Sequence, residues 1–159
     1  MTGNQYRRLV ARYLLNAYAK RNVHLYEEVS LGTSIIGKQR RVDLFLVVPA
    51  TCAAIAVECK YQDSSGTTDE KIPYALDDLR AMRVPSVIVY AGSGFSEGVL
   101  HLLQSSSLAA YCLPDQSLKP LARRQGDPID SGTWQLDHVL AQTFRWWDVV
   151  LTGRTPLVL

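Results

Sequence analysis

Glu58 and Lys60 stand two residues apart in "AIAVECKYQ", a run whose neighbours are mostly apolar. Strand periodicity turns both to one face and sends Val57 and Cys59 to the other. One apolar run earlier, Asp43 is the only charge inside "VDLFLVV". A hairpin register that sets Asp43 across from Glu58 also sets Val47 across from Ala54, leaving a connection of about four residues, an ordinary length. The spacing therefore predicts two carboxylates and an ammonium gathered on one face of a sheet.

Left uncompensated, such a group costs several kcal/mol, because desolvation outweighs Coulomb attraction unless the geometry is good. A divalent cation removes most of that penalty. Oxygen-only ligands favour Mg²⁺, or Mn²⁺, with waters completing the octahedron and a phosphate as the natural further ligand. Beside such an ion a lysine can orient or deprotonate a water, or stabilise charge growing on the phosphate. A single E-x-K would ordinarily be a salt bridge at a strand end; Asp43 in workable register is what favours a metal centre.

Positioning these groups requires a sheet. "NQYRRLVARYLLNAYAKRN" carries Leu9, Tyr13 and Ala17 on one face and Arg8, Arg12 and Lys20 towards another, the period of an amphipathic helix. "VHLYEEVSLG", "RRVDLFLVV" and "AIAVECKYQ" then read as three strands of an antiparallel meander. "VIVYAG" is a fourth strand, "FSEGVLHLLQSS" a helix and "AAYCL" a fifth strand, so the last two strands run parallel. The predicted class is an α/β fold, a mixed sheet flanked by helices in the order αβββαβαβ. "RRQGDPIDSG" reads as a connector, and from Trp134 to Leu151 a helical stripe of Leu136, Leu140, Phe144, Trp147 and Leu151 should dock on the core or on a second subunit.

The 159 residues suit one domain, with a core over about 4–113 and a C-terminal extension over about 120–159. Cys52, Cys59 and Cys112 are too few and scattered for a disulfide framework or zinc cage, and His24, His101 and His138 add no ligand-like spacing. This reads as a reducing, cytoplasmic setting. The most apolar stretch, Val42 to Val57, is interrupted by Asp43 and Pro49, so no membrane span is expected. Residues 1–42 hold eight Lys or Arg against two Glu, whereas residues 43–100 hold four against eight acids. A basic front beside an acidic centre suits a polyanion partner and a bound cation.

"RVD" at 41–43 followed by "VECK" at 57–60 resembles the PD-(D/E)xK signature of restriction-endonuclease-like nucleases, although Val42 stands where the motif has proline. The resemblance implies that Asp43 and Glu58 bind metal and that Lys60 assists catalysis. Gln62 matches the position where several members continue as E-x-K-x-Q, and the Cys59 backbone carbonyl is a further candidate metal ligand. Many members supply another acid from the first helix, which here has none. Glu28 of the first strand is the preferred substitute, with Glu27 as the alternative. "GTTDEKIPYALDDL" is also similar to a stretch that follows the catalytic strand in some restriction-like nucleases.

Three other segments compete for attention. Thr67 and Glu70 in "TTDE" fit a capping box, with Pro73 limiting where that helix begins. "GSGFSEG" at 92–98 opens a helix after an apolar strand as a dinucleotide loop does, yet its spacing is G-x-G-x-x-x-G and it would leave Asp43, Glu58 and Lys60 without a role. The tryptophans of "RWWD" read best as packing anchors, with Phe144 and Trp147 at an oligomer contact. The sequence thus implies a Mg²⁺-dependent DNA endonuclease, a homo-oligomer, with Lys38, Arg40, Arg41, Arg8, Arg12, Lys71 and Tyr74 towards nucleic acid. A non-catalytic nucleic-acid-binding or assembly protein of the same fold is the alternative.

Overall fold

In the computed structural model, residues 1–64, 66–115 and 132–158 are described; the predicted connector, apart from Gly132, lies outside them. Thr2 caps α1 (Gly3–Ala17): its hydroxyl accepts from Gln5 N–H while the Gln5 side chain accepts from Thr2 N–H, a reciprocal capping box. The buried face of α1 is Tyr6, Val10, Ala11 and Leu14, not the Leu9–Tyr13–Ala17 stripe. Two apolar stripes lie side by side on this helix, and only packing against the sheet selects between them. A short 3₁₀ turn, Ala19–Arg21, leads to the sheet.

Five strands follow, β1 (His24–Thr33), β2 (Gln39–Val48), β3 (Ala53–Tyr61), β4 (Ser86–Ala91) and β5 (Ala109–Tyr111), hydrogen-bonded in sequence order. β1–β2–β3 is antiparallel, and β3–β4–β5 is parallel. Val47 pairs with Ala54 and Val48 with Ala53, so the predicted hairpin register and loop length hold. The inward positions of β2 (Val42, Leu44, Leu46, Val48) are buried and alternate with half-buried ones, which locks the register, since a slip of one residue would turn that set outwards.

α2 (Thr68–Arg80) and α3 (Glu97–Ser105) make the crossovers to β4 and β5. Thr67 makes no side-chain cap, so the predicted capping box is absent, and the helix runs through Pro73. Pro73 removes the single bond to the Asp69 carbonyl. Ile72, Leu76 and Leu79 on both sides of it are buried and hold the helix in place.

The predicted continuous C-terminal helix is two helices, α4 (Trp134–Phe144) and α5 (Trp147–Val150), broken at Arg145, which is left-handed with φ 59°. That conformation costs about 1–2 kcal/mol. It swings Trp146 onto Tyr18 (ring centroids 5.1 Å) and Phe144 (4.6 Å), with Arg21 4.8 Å over the indole. Two such ring pairs, each contributing about 0.5–1.5 kcal/mol beyond buried area, with a cation–π contact, offset the strain. Leu136, Leu140 and Phe144 join the core, so Phe144 is not at the surface, while Trp147 and Leu151 are exposed. Tyr13 and Tyr18 both donate to Asp137 Oδ1 (2.5 and 2.6 Å), tying α1 to α4. β5 is sheltered at its free edge, where Tyr111 N–H donates to Gln135 Oε1 at 2.7 Å and Leu113 N–H to Gly132 O at 2.8 Å. Among the described residues no helix is long and apolar enough to cross a membrane.

Candidate active site

Leu44 pairs with Val57, and the same register carried one residue further sets Asp43 opposite Glu58. Asp43 Oδ2 accepts the Cys59 N–H at 2.8 Å, which fixes the aspartate against the neighbouring strand. Lys60 Nζ donates to Glu58 Oε2 at 3.2 Å. The side chains of Asp43, Glu58 and Lys60 are 30, 17 and 24 % exposed, partly withdrawn from water. Burial pushes the Glu58 carboxyl above its ordinary value; Lys60 opposes the shift and the Asp43 charge adds to it. Two acids are thus held together where one of them resists ionisation.

That donor set fits a hard divalent cation. Two carboxylates, with the Cys59 carbonyl as a candidate third oxygen, leave the remaining coordination to water and phosphate, as suits Mg²⁺. Among the described residues no group of three or more His, Cys, Asp or Glu converges as a metal cage. The Cys59 thiol itself is buried and its pKa raised by that burial, so it is no nucleophile.

Glu28 and Glu27 separate clearly. In β1, Glu27 pairs with Leu44 and Val29 with Val42, so Glu28 falls opposite Asp43 in a row of three acids across three strands. Glu28 is left-handed, with φ 53°, an uncommon conformation for a glutamate. Its carboxylate meets Arg7 NH1 at 2.8 Å and Arg41 NH1 at 3.7 Å, and the hydrogen bond from Arg7 holds its pKa below the usual range. Glu27 is exposed.

Arg7 is the residue that sequence reasoning missed. From α1 it reaches Glu28 and lies 3.9 Å from Asp43 Oδ1. The signal for it is the helix phase: once Tyr6, Val10 and Leu14 are taken as the inward stripe, Arg7 lies at its edge.

Gln62 is buried and its amide nitrogen is engaged. Its Nε2 donates to Asp69 Oδ1 (2.9 Å) and to the Gly94 carbonyl (2.7 Å), so it joins the end of β3 to α2 and to the glycine loop. That loop is a packing device. A Cβ on Gly92, where φ is +109°, would lie 2.1 Å from Gln62 O, and one on Gly94 2.4 Å from Ser64 N. The anion position at the start of α3 is taken by the chain itself, since Ser96 N–H donates to Asp69 Oδ2 at 2.9 Å. The loop is thus engaged with the Gln62–Ser64 backbone and with Asp69.

Among the basic residues, Arg40 is a correction. Its Nε and NH2 form a two-pronged pair with Asp78, both bonds 2.8 Å and both side chains 11 % exposed. It is committed to α2, not free for phosphate. Lys38, Arg41, Arg8, Arg12 and Lys71 are exposed, as is Tyr74.

A family model described as a PD-(D/E)XK nuclease superfamily domain matches residues 2–147. The match runs past the 4–113 core expected from the motif and takes in α4. Comparison with curated proteins and with solved structures found no match.

Proposed function

The chain belongs to the PD-(D/E)XK nuclease superfamily, and on that footing we propose that it is a metal-dependent DNA endonuclease whose centre is Asp43, Glu58 and Lys60. The observation that carries this reading is the pairing of two strand carboxylates, one of them with a raised pKa, beside a lysine ammonium 3.2 Å from the second. Asp43 and Glu58 would hold Mg²⁺ or Mn²⁺, with the Cys59 carbonyl as a further oxygen. When bound, the ion supplies Lewis-acid polarisation of the scissile phosphate and a water of lowered pKa.

The protein's own side chains then have distinct tasks. The bond from Cys59 N–H keeps Asp43 turned towards Glu58. Lys60, free to exchange Glu58 for an incoming group, can orient the attacking water or offset the charge that develops on the phosphate oxygens. Gln62 supports the centre by fixing the strand end, a role suited to a residue whose amide nitrogen is already engaged. Lys38, Arg41, Arg8, Arg12 and Lys71 supply positive charge for the nucleic-acid backbone, with Tyr74 available to stack.

The test is a cleavage panel of supercoiled, linear, single-stranded and branched DNA, and RNA, each with Mg²⁺, Mn²⁺ or EDTA. Cleavage of any DNA that EDTA abolishes supports the reading. Tight binding with no cleavage in either metal would favour a non-catalytic nucleic-acid-binding protein of the same fold, and RNA-only cleavage would replace the substrate.

A further inference from the structure

Resting on the reading of Asp43 and Glu58 as metal ligands, we infer that Arg7 is a built-in cation that occupies the space between Glu28 and Asp43, so that Glu28 anchors Arg7 and does not ligate the metal. By the pairs that flank them, Glu28, Asp43 and Glu58 fall at facing positions of β1, β2 and β3. On charge alone the row invites cations at both of its gaps. Among the described residues, the cation that pairs with Glu58 is Lys60, 3.2 Å from Oε2. The gap between Glu28 and Asp43 is bridged by one atom, Arg7 NH1, 2.8 Å from Glu28 and 3.9 Å from Asp43.

Arg7 is held there against a cost. Its side chain is 14 % exposed, and its Nε is buried without an acceptor among the described residues. An orphaned buried donor is unfavourable, so the two carboxylates must outweigh it. Arg41 lies 3.7 Å from the other Glu28 oxygen, which leaves neither of that carboxylate's oxygens free of a guanidinium. A divalent ion would have to displace both arginines to use Glu28, whereas Asp43 and Glu58 can accept one without moving Arg7. The arginine also lies 3.9 Å from Asp43 Oδ1, which makes it a positioning residue for that ligand.

Mn²⁺ binding, followed by calorimetry without DNA, separates this from the alternatives. In the wild-type chain Glu28→Gln should leave the Mn²⁺ affinity within about twofold, while Asp43→Asn should lower it at least tenfold. Arg7→Gln should tighten Mn²⁺ by roughly fivefold, as expected when one fixed charge about 4 Å from a ligand is removed. In the Arg7→Gln background, Glu28→Gln should then weaken binding by a similar factor, because the freed glutamate has become a ligand. A tenfold loss from Glu28→Gln alone, or no gain from Arg7→Gln, overturns the inference. If circular dichroism shows that Arg7→Gln does not fold, Glu28→Gln alone decides. Absence of Mn²⁺ binding by the wild type would overturn the metal reading of Asp43 and Glu58 itself, a distinct outcome.

Discussion

Glu58 lies 17 % exposed with a lysine on one side and an aspartate on the other; burial raises its pKa, Lys60 opposes that shift and Asp43 adds to it. Removing it should take away a metal ligand, and removing Lys60 should take away the compensating charge. Neither substitution touches the exposed arginines. Glu58→Ala and Lys60→Ala are each expected to lower cleavage by about 10²–10³ or more, the scale on which loss of one charge-stabilising group acts, while DNA binding measured by anisotropy stays within a few fold. Retained turnover in either variant under Mg²⁺ would remove them from the centre. Arg40 and Asp78 follow a different logic, because they are each other's charge partners and both side chains are withdrawn from water. Losing one partner strands the other, so Arg40→Ala should cost about 3 kcal/mol in urea melts, the low end for a broken buried pair. The Arg40 hydrogen bond and the Ile35 N–H hold Asp78 below the ordinary carboxylate range against burial. A folded pKa below the unfolded one means that this stabilisation is present above about pH 4, the ordinary Asp value. It is lost as pH falls through the lower folded value. Asp78→Asn should therefore flatten the fall of stability in that acid window, and an unchanged acid slope would contradict the assignment.

At the scale of elements, the glycine loop after β4 shows how a segment that looks like a ligand site is spent on packing. Gly94 approaches the Asp63–Ser64 backbone so closely that any side chain must displace main chain. Gly94→Ala is expected to destabilise by about 2 kcal/mol or more, as overpacking does. Gly98, in the first turn of α3, has open space around it and is helical. Gly98→Ala should stabilise by roughly 0.5–1 kcal/mol. Thermal melts of the two variants moving in the same direction would contradict this account of the loop. The β1–β2 hairpin is tethered likewise, by Arg40 and by Ile35 N–H, both to Asp78 of α2.

For the molecule as a whole, the exposed Lys38, Arg41, Arg8 and Arg12 replace the set that included Arg40. Each phosphate they neutralise should contribute roughly −0.9 to the slope of log K against log salt. Arg41→Ala should reduce that slope by about one contact and Arg40→Gln should not; equal effects would mean that Arg40 leaves Asp78 to bind DNA. Trp147, Val150 and Leu151 expose apolar surface at the C-terminal end of the described chain. We propose this patch, now without Phe144, as a two-fold contact that would let two centres address antiparallel strands. Light scattering at micromolar concentration should give twice the chain mass, and Trp147→Glu should halve it without loss of helical signal. A mass of one chain in the wild type refutes the contact.

The facing of Asp43, Glu58 and Lys60 was legible in the sequence because strand geometry has a period of two and a buried face penalises any slip. The apolar alternation in β2 and the short link to β3 left one workable register, and it is the one observed. The parallel β4–β5 pair followed from the strand, helix, strand order for the same kind of local reason. Helix phase was not legible, since α1 carries two apolar stripes and the sheet chooses Tyr6, Val10 and Leu14. Nor were the partners of the charged groups. Arg7 with Glu28, Arg40 with Asp78 and Trp146 with Tyr18 join elements separated by 21, 38 and more residues of chain. Which arginine meets a carboxylate and which stays in water depends on where packing sets each element down, and no spacing within one element carries that information.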